Sequence, residues 1–347
     1  MTDTARPKRR RLRWLLWLLP LLLLALAAAA YGVWTDYQRF LATPLSIGAQ
    51  EQVFEVKRGD SFRHVLRRLR RAGIDEGHDL YWEALAFDLG VLTRLQVGEY
   101  ALGHGLTPSA LLRKLESGQV IQHRFTLVEG WSMRDLRLAL ARDASLAQTL
   151  EGLSNEELMK RLGRDGVHPE GRFLPETYLF TRGVSDFELL RRALIAMDKA
   201  LLEAWEGRQD DLPLASPDEL LTLASIIEKE TGRAEERPDI AGVFARRMRI
   251  GMRLQTDPTV IYGLGEAFNG NLTRAHLRAD TPWNTYTRGG LPPTPIAMPG
   301  KAALQAAAHP AEGDTLYFVS RGDGSHQFSR TLDEHNAAVR RYQLRRR

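Results

Sequence analysis

Glu228 is the residue of this chain best suited by its setting to acid–base chemistry. It lies in the segment Ser216–Gly232, which reads as one helix with both ends marked. Ser216 is a good N-cap, Pro217 suits the first helical position, Glu219 completes a capping box and Gly232 closes the far end. At about 3.6 residues per turn, Leu220, Leu221, Leu223, Ala224 and Ile227 share one broad apolar face. Glu228 falls between Ala224 and Leu221 on that face, and Lys229 points away. A carboxyl against apolar neighbours is costly to ionise, and one that keeps its proton near neutral pH is what general-acid chemistry needs. The plainer reading has Glu228 at the rim of the stripe, reaching water. Glu230 lies near Leu223 and Ile226 on the opposite flank, where a pairing with Arg233 would account for it.

Other residues suited to a polar site sit downstream. Met252–Thr259 reads as a polar strand and turn, and Thr281–Pro293 mixes hydrogen-bonding side chains with aromatics. Gln255, Asp257, Asn284 and Tyr286 are the candidates for gripping a polar ligand. Alternatively, Asp257 caps a turn before Pro258 and Asn284 closes an Asx-turn. Leu291–Gly300, with four prolines, is a stiffened loop rather than a helix or central strand. His168–Tyr178 is another loop dense in Pro, Gly, acids and aromatics, and contributes Glu170 and Glu176 as further carboxylates.

Charge and composition narrow the class. The net charge of +5 resides in residues 1–13, and the other 334 residues hold 42 basic and 42 acidic side chains. The basicity is therefore a tail, not a face, and nucleic-acid binding is set aside. Cysteine is absent, so there are no disulfides, and the nine histidines show no metal-ligand spacing. Neither a metal nor another cofactor is expected. Residues 14–34 hold no charge and have aromatics near both ends, long enough to cross a membrane. With the basic cluster before it, this segment predicts a single-pass anchor with residues 1–13 in the cytoplasm and the rest outside. The rival is a cleaved signal peptide, for which Ala28–Ala30 offers small residues.

Residues 35–49 read as a juxtamembrane linker. A strand at Val53–Val56, a Gly59-Asp60-Ser61 turn and a helix from Phe62 follow, and the pattern recurs 71 residues later. Phe54, Gly59, Ser61, Arg63, Val65 and Leu69 correspond to Phe125, Gly130, Ser132, Arg134, Leu136 and Leu140, as in a duplicated module. A looser echo runs from Tyr100 through a helix capped at Thr107. The Gly-Asp-Ser units resemble LysM-type modules, which bind N-acetylglucosamine-containing glycans; an ordinary capped helix after a strand reads the same way. Thr315–Ser329 is read as a hairpin around Arg321–Gly324.

Ala224-Ser225-Ile226-Ile227-Glu228-Lys229-Glu230-Thr231, the run Arg249–Gly263, Asn284-Thr285-Tyr286 and Gly290-Leu291-Pro292-Pro293 resemble the YceG-like family of membrane-anchored endolytic murein transglycosylases (MltG). The resemblance spans essentially the whole chain. It implies an α+β protein: a transmembrane helix, a LysM-like module at 50–122 and a catalytic domain at 123–347. It implies Glu228 as catalytic acid, with Gln255, Asp257, Asn284, Tyr286 and Glu176 as substrate-binding candidates. The family pattern has aspartate where Glu176 stands, which alters the reach of that carboxyl. The implied substrate is nascent peptidoglycan, cut between N-acetylmuramic acid and N-acetylglucosamine to leave 1,6-anhydro ends at the outer face of the inner membrane. Peptidoglycan synthases are the implied partners. Two other readings are a hydrolytic muramidase using Asp257, Glu176 or Glu170 as second carboxylate, and a non-catalytic glycan-binding scaffold.

Overall fold

The computed structural model describes residues 8–48 and 51–344, with side chains from residue 18 onward. Part of the basic tail, residues 1–7, lies outside the described residues. The chain divides into two compact units, Met1–Gln122 and His123–Arg347.

The first unit opens with α1 (Lys8–Ala42), followed by β1 (Gln52–Val56), α2 (Phe62–Arg71), α3 (Asp79–Asp88), β2 (Gly98–Leu102) and α4 (Pro108–Ser117). α1 contains one apolar stretch, Leu18–Ala42, long enough to cross a membrane. It also overturns the reading of 35–49 as a linker. The helix continues to Ala42, and Phe40, Leu45 and Ile47 are buried in the core of the unit. The Phe40 ring meets Trp82 edge-on at 5.3 Å, and a Cβ at Gly77 would lie 2.2 Å from it. Phe40 follows Tyr37 at helical spacing and its burial secures the end of α1, while Leu45 and Ile47 are buried past the helix end.

The second unit holds β3 (His123–Thr126), α5 (Met133–Arg142), α6 (Asn155–Arg161), β4 (Thr177–Phe180) and α7 (Asp186–Glu206). Next come α8 (Pro217–Glu230), α9 (Arg237–Arg249), α10 (Asp257–Leu264), α11 (Arg274–Arg278) and α12 (Lys301–Ala308). The hairpin β5 (Tyr317–Ser320) and β6 (His326–Ser329) and helix α13 (Leu332–Val339) complete it.

The repeat seen in the sequence is wider in three dimensions. Strand, helix, helix, strand, helix occurs as β1-α2-α3-β2-α4 and again as β3-α5-α6-β4-α7. Both strand pairs are antiparallel, with Phe54 opposite Tyr100 and Phe125 opposite Tyr178. Each tyrosine hydroxyl donates 2.7 Å to the carbonyl four residues upstream, at Gln96 and Leu174. Ser61 and Ser132 cap the helices that follow the strands, through the amides of His64 and Asp135. The second strand and its tyrosine escaped the sequence comparison because the segments between the paired strands differ in length.

α8 is the centre of the second unit. Ser216 caps it through the Glu219 amide, while the Glu219 carboxylate reaches back to the Ala215 amide at 2.6 Å instead of to Ser216. Extended Thr231, not a left-handed glycine, ends it. Every residue from Leu220 to Ile227 is buried, so the helix is enclosed on all sides where one apolar face was expected. α7, α9, α10 and α12 surround it. Each of Leu220, Leu221, Leu223, Ile226 and Ile227 contributes roughly 1.5–3 kcal/mol by burial. The Pro-rich loop before α12 lies against it, with the Ile296 amide donating to Ser225 Oγ at 3.0 Å.

Phe40→Ala is expected to destabilise the first unit by about 3–5 kcal/mol. Hydrogen-exchange mass spectrometry should then show lost amide protection in α2 and α4; protection equal to wild type would place Phe40 outside the core.

Candidate active site

α8 emerges from the core through its last turn, and its final three residues meet three different surroundings. The Glu228 side chain is only 5% exposed. One carboxylate oxygen accepts from Arg237 at 3.2 Å and the other from the Gly300 amide at 2.9 Å. The apolar pocket expected around it is absent; instead the carboxylate ties the end of α8 to the starts of α9 and α12. Arg237 is itself buried, and the guanidinium nitrogen that meets Glu228 also lies 3.9 Å from Glu129.

Glu230, two residues on, faces a cavity of about 380 Å³. Gln255, Thr256, Asp257, Tyr286, Arg247, Tyr317 and His326 line the same cavity. Burial pushes the Glu230 carboxyl up to about 7, and the charge of Asp257 adds to the rise, while the Thr256 hydroxyl donates to it and opposes the rise. It does not pair with Arg233, whose guanidinium donates to the Asp323 carbonyl at 2.9 Å. Arg247 lies beneath, its guanidinium bonded to the Leu316 and Leu254 carbonyls at 2.7 and 2.6 Å and over the Tyr317 ring at 5.3 Å. A carboxyl protonated near neutral pH and opening on a polar cavity has the setting that general-acid chemistry requires.

Behind Thr256, which lines the cavity and bonds Glu230, two further threonines are buried. The Thr256 amide donates to Thr285 Oγ1 at 3.0 Å, and Thr259 Oγ1 lies 2.9 Å from the same hydroxyl. The Gln255 amide donates to the Thr285 carbonyl at 3.2 Å. Gln255 has φ +50°, alone among the described non-glycine residues in the left-handed region, a strained placement that projects it at the cavity rim. Asp257 begins α10, so the expected strand is a helix start. Asp257 accepts from the Tyr286 hydroxyl at 2.6 Å; burial, then this bond, holds the phenol above its usual range.

Of the sequence candidates, Gln255, Asp257 and Tyr286 therefore come together, but around Glu230. Asn284 is fully buried and does not face the cavity. Its amide donates to the His276, Leu277 and Ala279 carbonyls and its oxygen accepts from the Tyr286 amide, so it holds the loop that presents Tyr286. Glu176 is exposed and paired with Lys301, away from the cavity lining. Glu170 also has its carboxyl raised to about 7 by burial. Its oxygens are committed to the Met133 amide and the Tyr262 hydroxyl, at 2.9 to 3.1 Å, so it anchors the start of α5. Sequence reasoning weighed Glu230 and assigned it a pairing with Arg233, and it did not single out Thr256 or Arg247. The available signal was that Glu230 lies near Leu223 and Ile226, a flank the core also encloses.

The chain matches the YceG-like family over residues 54–341. It is 34% identical to the endolytic murein transglycosylase of Bacillus subtilis, over 71% of this chain and 73% of that protein. The protein of the same name from Streptococcus pneumoniae is 26% identical over 89% of this chain, which spans only 62% of that relative's length. The 2.6 Å crystal structure of a yceG-like protein from Listeria monocytogenes superposes with a TM-score of 0.54 at 28% identity, over 84% of this chain and 99% of that one. The chain belongs to the YceG-like family.

Asn284→Ala would strip a donor from three partly buried backbone carbonyls and release the Tyr286 amide. The expected loss is roughly 2–3 kcal/mol of stability, read from a denaturant titration; an unchanged midpoint would mean the loop is held by other contacts.

Proposed function

We infer that the chain is an endolytic lytic transglycosylase of peptidoglycan and that Glu230, not Glu228, is its acid. The single observation behind the assignment is the Glu230 carboxyl, raised to about 7 and facing the cavity lined by Gln255, Asp257 and Tyr286. The curated relatives named endolytic murein transglycosylases support the reaction class.

The substrate is the β-1,4 bond between N-acetylmuramic acid and N-acetylglucosamine in nascent glycan strands. Protonated Glu230 gives its proton to the glycosidic oxygen as the bond to the anomeric carbon breaks and positive charge builds there. The Asp257 carboxylate lies on the cavity wall where it stabilises that charge. Glu230, now ionised, takes the proton of the sugar's C6 hydroxyl, whose oxygen bonds to the anomeric carbon and closes a 1,6-anhydro ring. The acid regains its proton and no water is consumed. Tyr286 and Gln255 grip hydroxyl and acetamido groups. The first unit, whose strand-helix-helix-strand order supports a LysM-like reading, holds the strand. α1 anchors the enzyme in the inner membrane with its N-terminus in the cytoplasm and both units outside, where peptidoglycan synthases are the natural partners.

Mass spectrometry of glycan ends released by the purified full chain tests the reading. Wild type should release anhydro ends and Glu230→Gln should release none, at least 1000-fold below wild type in order of magnitude. Glu228→Gln should retain cleavage at reduced stability, and the reverse pattern would restore Glu228 as the acid. Reducing ends from wild type would make the enzyme a hydrolase.

The raised carboxyl also sets a pH dependence. Wild-type kcat/KM should fall as pH rises through about 7, where the acid form of Glu230 is lost. A folded pKa above the unfolded one means that stability falls with rising pH between the two values. Glu230→Gln should therefore melt a few degrees above wild type at pH 8, with the gain gone near pH 4. Equal melting temperatures at both pH values would contradict the burial of this carboxyl.

A further inference from the structure

A second, larger groove of about 720 Å³ opens on the other side of the same turn. Lys229 lines it beside Glu230 in the chain, and Pro258 lines it beside Asp257. Neighbouring Cα atoms are about 3.8 Å apart, so the two cavities share α8 and α10 as walls. The groove is half apolar and half cationic. Ile261, Tyr262, Phe268 and Trp283 are partly exposed along it, with Tyr262 and Trp283 edge to face at 5.7 Å. The exposed Lys229 ammonium donates to the Gly130 carbonyl at 3.1 Å and makes no ion pair among the described residues. Asp135, also in the groove, is turned into the cap of α5 through Ser132. Arg134 adds a second cation, only loosely paired with exposed Glu266 at 3.7 Å.

We propose that this groove binds the stem peptide carried by the sugar at the catalytic cavity, with Lys229 holding a peptide carboxylate and Trp283 and its neighbours receiving apolar side chains. The proposal rests on the peptidoglycan reading above. The sugars of the strand are neutral, whereas the peptide substituent has carboxylates and small apolar side chains, which is the complement of this lining. Because the peptide branches from the sugar being cut, a groove one residue away on both α8 and α10 is where it would leave the catalytic cavity.

The test is the ratio of kcat/KM on peptide-bearing strands to that on strands stripped of peptide by an amidase, with the full chain. Wild type should prefer peptide-bearing strands, and Lys229→Met and Trp283→Leu should each move the ratio toward one, by about tenfold for the charge, equivalent to ~1.4 kcal/mol. A variant that is merely misfolded lowers both rates and leaves the ratio alone. A wild-type ratio near one, or an unchanged ratio in variants that keep the wild-type rate on stripped strands, overturns the peptide groove while leaving the transglycosylase intact. No cleavage of either substrate by wild type overturns the enzymatic reading itself.

Discussion

Burial of α8 on every side is the constraint from which the catalytic unit follows. A helix enclosed from Leu220 to Ile227 cannot rotate or slide without disturbing α7, α9, α10 and α12 together. Its last turn is consequently delivered at a fixed angle. Successive residues on a helix point about 100° apart, so Glu228, Lys229 and Glu230 are sorted into a structural joint, a wide groove and a polar cavity. One short stretch thereby supplies the tie that fixes the turn, an exposed ammonium and a desolvated carboxyl.

The surroundings of Glu230 are polar but ordered before any ligand arrives. The Thr259 and Thr285 hydroxyls bond each other and the Thr256 backbone, the Thr256 hydroxyl bonds Glu230, and Asn284 secures the loop behind Tyr286. Such a network leaves little to reorganise when charge develops in the cavity. The left-handed Gln255 is held by this network, since its amide and that of Thr256 both end on Thr285.

Local signals in the chain were readable where the chemistry was local. Helix caps at Ser61, Ser132 and Ser216, the hairpin at Arg321–Gly324 and the stiffened Pro-rich loop all depend on neighbours within a few residues. The gathering of Gln255, Asp257 and Tyr286 was readable as well, from residue type and spacing. The choice between two glutamates was not. A helical wheel distinguishes faces, but on a helix buried all round it cannot say which face meets an arginine and which a cavity. That depended on Arg237, Gly300 and Thr256, between 9 and 72 residues away in the chain. Asn284 follows the alternative reading, an Asx-turn in which its side-chain oxygen accepts from the Tyr286 amide; residue type alone does not separate that from an amide that binds sugar.

The unbroken run of α1 from its apolar stretch into the core of the first unit changes what distance from the membrane means. Had residues 35–49 been a flexible tether, the unit would sample a sphere whose radius grew with length. A rigid helix ending in packed Phe40 acts as an axle instead. Each residue added to or removed from it lifts the unit by about 1.5 Å but also turns it by about 100°. For a chain anchored by this helix, bearing as well as height is written into the helix, and a change of one residue in its length redirects the surface that the unit presents along the membrane plane.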